Sequence, residues 1–277
     1  MLESPIILNF GRLAFMVLLL VISSFCFSQS NGKAKEYFDK GVAKKEQVNK
    51  VTDEERSQNP FVVNELLNSA IKFFTAAISI DPSLTHAYFE RALCFQRLSE
   101  YKKAIADFQK VLLKDPDNFD ALRFLSFCQV EDPNSYMNRS ILTDAMETLN
   151  RLIRLKPNDH SLYSQRSSIK MRLQDNRGAI LDLNQAIALL PDHYYYFSQR
   201  ASCWYRLKNF CKSIQDYTKA IELSKDDYPL NRANLYDSRA YAKFNSSDLE
   251  GACLDWSQAG ELGMPSAYDA IRTNCNN

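Results

Sequence analysis

Four arginines recur in step with four aspartates along this 277-residue chain: Arg91 with Asp107, Arg166 with Asp182, Arg200 with Asp216, and Arg239 with Asp255. Two kinds of chemistry suit such a series. Each pair can neutralise itself in a packed interior, or the arginines can form a ladder for an anionic ligand. The other reactive groups are sparse. The three histidines, His86, His160 and His193, stand far apart, and no CxxC or HExxH spacing accompanies them. No metal site is therefore expected. No GxSxG, Walker or GxGxxG motif occurs either, so neither catalytic residues nor a cofactor are expected, and the chain reads as a non-enzyme.

Composition narrows the class. Apolar residues make up 45% and charged residues 24%, which suits a folded chain. Lys plus Arg number 34 and Asp plus Glu 33, a net charge of +1 that argues against a polybasic nucleic-acid binder. Only 7 residues are glycine, too few for turn-rich all-β folds or glycine-rich phosphate loops. At the amino terminus, Arg12 precedes an apolar run from Leu13 to Phe27, too short to span a bilayer as a helix. Cys26 and Ser28 are the small residues of a cleavage site. Residues 1–28 are expected to be a secretory signal peptide, which makes the chain exported, periplasmic or secreted. An uncleaved or lipidated segment would instead anchor it to the membrane.

Prolines show what must position the charged pairs. Pro82, Pro116, Pro157 and Pro191 are separated by 34, 41 and 34 residues, and each follows an apolar helical run. Proline just past a helix end is a stop signal. A 34-residue period of two helices predicts six repeats, starting near 34, 85, 119, 160, 194 and 233. With each numbered from 1 to 34, positions 8 and 20 are small (Ala92 and Ala104; Ser167 and Ala179; Ala201 and Ser213; Ala240 and Ala252). Positions 4 and 24 are bulky (Tyr88 and Phe108; Tyr163 and Leu183; Phe197 and Tyr217; Tyr236 and Trp256). The first and third repeats carry inserts between their helices.

This pattern resembles the tetratricopeptide repeat family over nearly the whole of 29–264. The resemblance implies an all-α fold: a right-handed superhelical solenoid of antiparallel helix pairs. Residues 265–277 are expected to form a carboxy-terminal capping helix. Arginine at position 7 and aspartate at position 23 occur together in four repeats and are both missing in the two with inserts. That agreement predicts pairing inside each repeat, between its two helices.

Among the cysteines, Cys94, Cys128 and Cys203 share position 10 and read as packed free thiols. Cys203 and Cys211 flank one turn, where a bridge is an alternative. Cys253 and Cys275 lie on the last repeat and the capping helix, where a disulfide would staple the cap. That closing stretch also resembles the end of exported bacterial members of the family, in which a Cys after Gly-Ala and a terminal Cys recur.

In the family fold, helix-A positions 2, 5, 9, 12 and 13 face a concave groove. Here they supply Phe89, Arg97, Arg123, Phe127, Met171, Arg172, Tyr195, Tyr205, Arg206, Tyr241 and Phe244. Aromatic area with arginines suits an extended peptide or protein segment. The Lys and Asn set of the family's two-carboxylate clamp is absent. The expected function is a scaffold that binds a protein or peptide partner in the cell envelope. The alternative is a structural subunit of an envelope or secretion assembly.

Overall fold

The computed structural model describes residues 29–136, 138–225 and 228–275. The expected signal segment lies outside the described residues. The chain divides into two compact blocks at the bond between Tyr136 and Met137, inside the insert of the third repeat.

The amino-terminal block runs as follows. Helix α1 covers 29–50, α2 Asp53–Gln58, α3 Val62–Ile80, α4 Thr85–Arg97, α5 Tyr101–Lys114 and α6 Phe119–Glu131, with a 3-10 turn at Pro133–Tyr136. The carboxy-terminal block holds α7 Arg139–Leu155, α8 His160–Arg172, α9 Asn176–Leu189, α10 Tyr194–Arg206, α11 Phe210–Leu223, α12 Pro229–Asn245, α13 Leu249–Glu261 and α14 Pro265–Asn274. No strand occurs among the described residues.

Each marker proline sits two residues beyond a helix end: Pro82 after α3, Pro116 after α5, Pro157 after α7 and Pro191 after α9. The first insert contains the short helix α2, whose amino terminus is capped by a reciprocal capping box of Thr52 and Glu55. Helix α12 begins at Pro229, four residues ahead of the expected repeat start near 233, since proline's fixed φ suits the first helical turn.

Packing follows the small positions. Ala92, Ala104, Ala145, Ala179, Ala201, Ala240 and Ala252 are all fully buried, as are Ser167 and Ser213. Ser213 Oγ donates to the carbonyl of Ala201 across the pair at 2.9 Å, so the two backbones approach closely. Gly41 serves the same purpose in the first repeat, where a Cβ would meet the Phe74 ring at 2.6 Å. Bulky position 24 then fills the space between pairs: Phe74, Phe108, Leu149, Leu183 and Trp256 are fully buried and Tyr217 nearly so.

The turns inside four repeats share one construction. Ser99, Gln174, Lys208 and Ser247 all take left-handed backbone, with φ of 59, 66, 59 and 69°. The following residue donates back five residues: Glu100 to Phe95, Asp175 to Lys170, Asn209 to Trp204 and Asp248 to Lys243, at 2.8 to 2.9 Å. This is the Schellman closure of a helix, usually given to glycine. Asp175, Asn209 and Asp248 then cap the next helix with their side chains, so two residues stop one helix and start another.

Left-handed backbone costs a non-glycine residue about 1–2 kcal/mol. Lys208→Gly should therefore raise stability by about 1 kcal/mol, net of glycine's added chain entropy. Lys208→Val should lower it. Thermal unfolding of the three proteins, monitored by circular dichroism, checks both signs.

Candidate peptide-binding site

The four arginines are placed alike. Arg91 Nε and Nη2 donate to Asp107 Oδ2 and Oδ1 at 2.7 and 2.8 Å. The same two-point contact joins Arg166 to Asp182, Arg200 to Asp216 and Arg239 to Asp255, at 2.6 to 2.9 Å. Every pair lies within one repeat, from helix A to helix B. The aspartates are nearly buried and the arginine side chains 14 to 20% exposed. These arginine heads are therefore turned into the stack and bound there, and do not form a ladder open to a ligand.

A third arm was not anticipated from sequence. The remaining Nη1 reaches back to helix B of the preceding repeat: Arg91 to Thr75 Oγ1, Arg166 to Asn150 Oδ1, Arg200 to Asn184 Oδ1 and Arg239 to Thr218 Oγ1, at 2.6 to 3.0 Å. All four acceptors occupy position 25. A Thr or Asn there, just before a repeat with arginine at position 7, was the available signal. The guanidinium also lies over the ring at position 4 of its own helix, Tyr88, Tyr163, Phe197 or Tyr236, at 5.4 to 5.7 Å.

Positions 11 and 19 exchange roles around these pairs. Where position 11 is lysine, position 19 is glycine: Lys170 and Lys243 bond Asp182 and Asp255 at 2.8 and 2.9 Å. Each also donates to the carbonyl of Gly178 or Gly251 at 3.3 Å. Where position 11 is aromatic, the lysine stands at 19 instead. Lys103 lies over Phe95 and Lys212 over Trp204, at 5.3 and 4.4 Å.

The expected groove residues divide into open and occupied ones. In the amino-terminal block, Phe127 is 44% exposed, while Phe89 is half-buried and packs edge-on against Phe108 and Phe124. Arg123 is exposed but lies over Phe124 and reaches Asp120. Arg97 is exposed and reaches Asn49 Oδ1 at 3.4 Å. A cavity of about 330 Å³ beside Phe89 is lined by His86, Val111, Lys114 and Asp120.

In the carboxy-terminal block, Tyr195, Tyr241 and Phe244 are 48, 44 and 41% exposed. Met171 and Arg172 are half-buried. Arg206 donates to the Met171 carbonyl at 3.2 Å, and Tyr205 accepts from Asn245 Nδ2 at 3.1 Å. Groove positions Ser164 and Ser168 are closed by Gln199, which bonds both at 2.9 Å. The open surface is thus more aromatic and less cationic than the residue types alone suggested.

Cys253 on α13 and Cys275 after α14 are joined by a disulfide, with Cα atoms 6.0 Å apart. Cys203 and Cys211 are both free, so the bridge across that turn is not formed. Burial pushes the thiols of Cys94 and Cys128 up to about 12 and that of Cys203 to about 11. Cys211 is exposed. Among the described residues, no group of three or more His, Cys, Asp or Glu could hold a metal ion. No described helix is long and apolar enough to cross a membrane.

Residues 86–118, which carry the Arg91–Asp107 pair, match the family model described as tetratricopeptide repeat. The chain has the tetratricopeptide repeat fold. It is similar to MamA, at 22% identity and a TM-score of 0.55 over 64% of this chain and 91% of MamA. It is also similar to YrrB, described as a TPR protein with an unusual peptide-binding site, at 16% identity and a TM-score of 0.55 over 72% and 97% of the two chains. Likeness at these identities concerns the fold alone.

Among curated relatives, 91 residues are 30% identical to serine/threonine-protein phosphatase T of Trypanosoma brucei brucei, or 33% of this chain and 19% of that protein. Another 65-residue match, 38% identical, is to serine/threonine-protein phosphatase T of Aspergillus oryzae, covering 24% and 14%. The chain spans less than a fifth of the length of these relatives, and the named activity is theirs.

Arg200→Ala should cost on the order of 3 kcal/mol, because Asp216 would stay buried without its partner. Arg200→Met with Asp216→Leu should cost less than either single change, read as denaturant midpoints in a double-mutant cycle. A second expectation concerns the thiols. In the native state at pH 8, a thiol reagent should label Cys211 rapidly and leave Cys94, Cys128 and Cys203 unmodified, because only the exposed thiol yields accessible thiolate. Mass spectrometry of the labelled peptides checks it.

Proposed function

We propose that the chain is an exported, non-enzymatic scaffold that captures an extended segment of a protein partner along its helix-A face. The fold is one used for protein–protein interaction. The observation that carries the finer reading is a set of large aromatic side chains left open at helix-A positions of the carboxy-terminal block, Tyr195, Tyr241 and Phe244. Such rings give contact area with little entropy lost on binding, which is how peptide-binding faces gain affinity. The solvent alone gives no reason to leave them there. Export is supported by the apolar run from Leu13 to Phe27 and by the Cys253–Cys275 bond, since disulfides persist in oxidising compartments. Removal of 1–28 would place the scaffold in the periplasm or outside the cell; retention would tether it to the membrane.

A second reading, assembly through the helix-B faces, is favoured by Leu181 and Leu254, which are 69 and 63% exposed at the same repeat position. Crosslinking pull-down from the native envelope distinguishes the two. Tyr195→Ser with Phe244→Ser should lose the partner, while Leu181→Ser with Leu254→Ser should retain it. The opposite result would replace the groove reading with the assembly reading. Tyr205 and Arg206 are poor choices for this test, because both already bond neighbouring helices.

A further inference from the structure

Asp237, in the carboxy-terminal block, departs from the pairing rule. Asp182, Asp216 and Asp255 are each held by an arginine. Asp237 is half-buried on α12 at helix-A position 5, and no ion pair among the described residues includes it. Burial raises its carboxyl above the ordinary range. The opposing influence is the indole N–H of Trp256, which is itself buried without a hydrogen bond of full geometry. A desolvated carboxylate without a cation is an unfavourable arrangement.

The walls around it are aromatic and fixed. Tyr241 and Phe244 follow Asp237 along one stripe of α12, and both rings rest on buried Trp256 at 5.4 and 5.9 Å. Tyr205 comes from α10 and is tied to the same stripe by Asn245. Tyr241 stands one turn after Asp237 on the same face of α12, and burial first, then neighbouring Asp237 and Tyr205, raises its hydroxyl above the ordinary tyrosine range.

We infer that Asp237, flanked by Tyr205 and Tyr241, receives a basic side chain, arginine or lysine, carried by the partner's extended segment. The inference deepens the proposed function and rests on it. The charge argument selects the occupant. An arginine or lysine supplies the missing cation, and its flat or aliphatic stem can lie along the tyrosine rings. An inorganic cation needs several oxygen ligands, and one carboxylate does not supply them. An acidic or phosphorylated segment would add like charge beside Asp237.

The test uses the chain from residue 29 onward and a random library of N-acetylated, C-amidated dodecapeptides. Bound peptides should carry Arg or Lys at one shared position. Replacing that residue by citrulline or norleucine should weaken binding at least about tenfold. Asp237→Asn should give the same loss, with no further loss when both changes are combined. Its melting temperature should be unchanged or higher, because the substitution removes an unpaired half-buried charge. Asp237→Ser, the residue found at this position in the two preceding repeats (Ser164 and Ser198), supplies a second variant if the first fails to fold. Peptides bound with no basic preference and no effect of either variant would overturn this site while leaving the groove in place. A library that yields no binder would remove the groove and this site together.

Discussion

The stacking of this protein depends on a guanidinium that cannot leave its place. Each of Arg91, Arg166, Arg200 and Arg239 holds helix B of its own repeat with two bonds and helix B of the repeat before with a third. Apolar packing alone is non-directional, and alanines that permit close approach would also permit sliding. A planar donor with a fixed fork sets both rotation and register. Its burial brings a desolvation cost, met by the carboxylate, the polar acceptor behind it and the ring beneath it. The interaction therefore specifies geometry more than it adds net stability.

Much of this was legible in the sequence because repetition turns weak signals into strong ones. One Arg and one Asp sixteen residues apart mean little; four such pairs, absent together elsewhere, point to contact. The small positions were legible for the same reason. What escaped was of two kinds. The acceptors at position 25 alternate between Asn and Thr, so chemical equivalence hid behind different names. The left-handed turn residues, Ser99, Gln174, Lys208 and Ser247, share no side-chain chemistry at all. Their conformation is imposed by the two helices they join, and scarce glycine reflects turns that bear strain rather than turns that are missing.

The helix-A face was less legible than the core. Position within a repeat states which way a side chain departs, not whether a neighbour has already taken it. Phe89 and Tyr195 occupy comparable faces, yet Phe89 is drawn into a cluster with Phe108 and Phe124 while Tyr195 stays open. Arg206 looked like a ligand-facing cation and instead satisfies a carbonyl at the end of α8, a usual fate for a basic side chain beside a helix carboxy terminus. Such outcomes turn on the residues across the gap, which one repeat's numbering does not contain. The cap is a different case. Its disulfide joins α14 to α13, and α14 packs over Trp256 and Ala259.

These two lessons meet at Asp237. The fold shows, four times, how it treats an aspartate beneath its surface: it gives it an arginine, and twice a lysine as well. Asp237 lies on the helix-A face of the carboxy-terminal block and receives neither. A chain that pairs four buried aspartates with arginine has the means to neutralise this one, or to replace it by the serine used at the same position in the two preceding repeats. Retaining an unpaired carboxylate between tyrosines costs the folded state something. That cost is recovered only when another molecule brings the cation, and this makes the least stabilised charge on the helix-A face its most informative one.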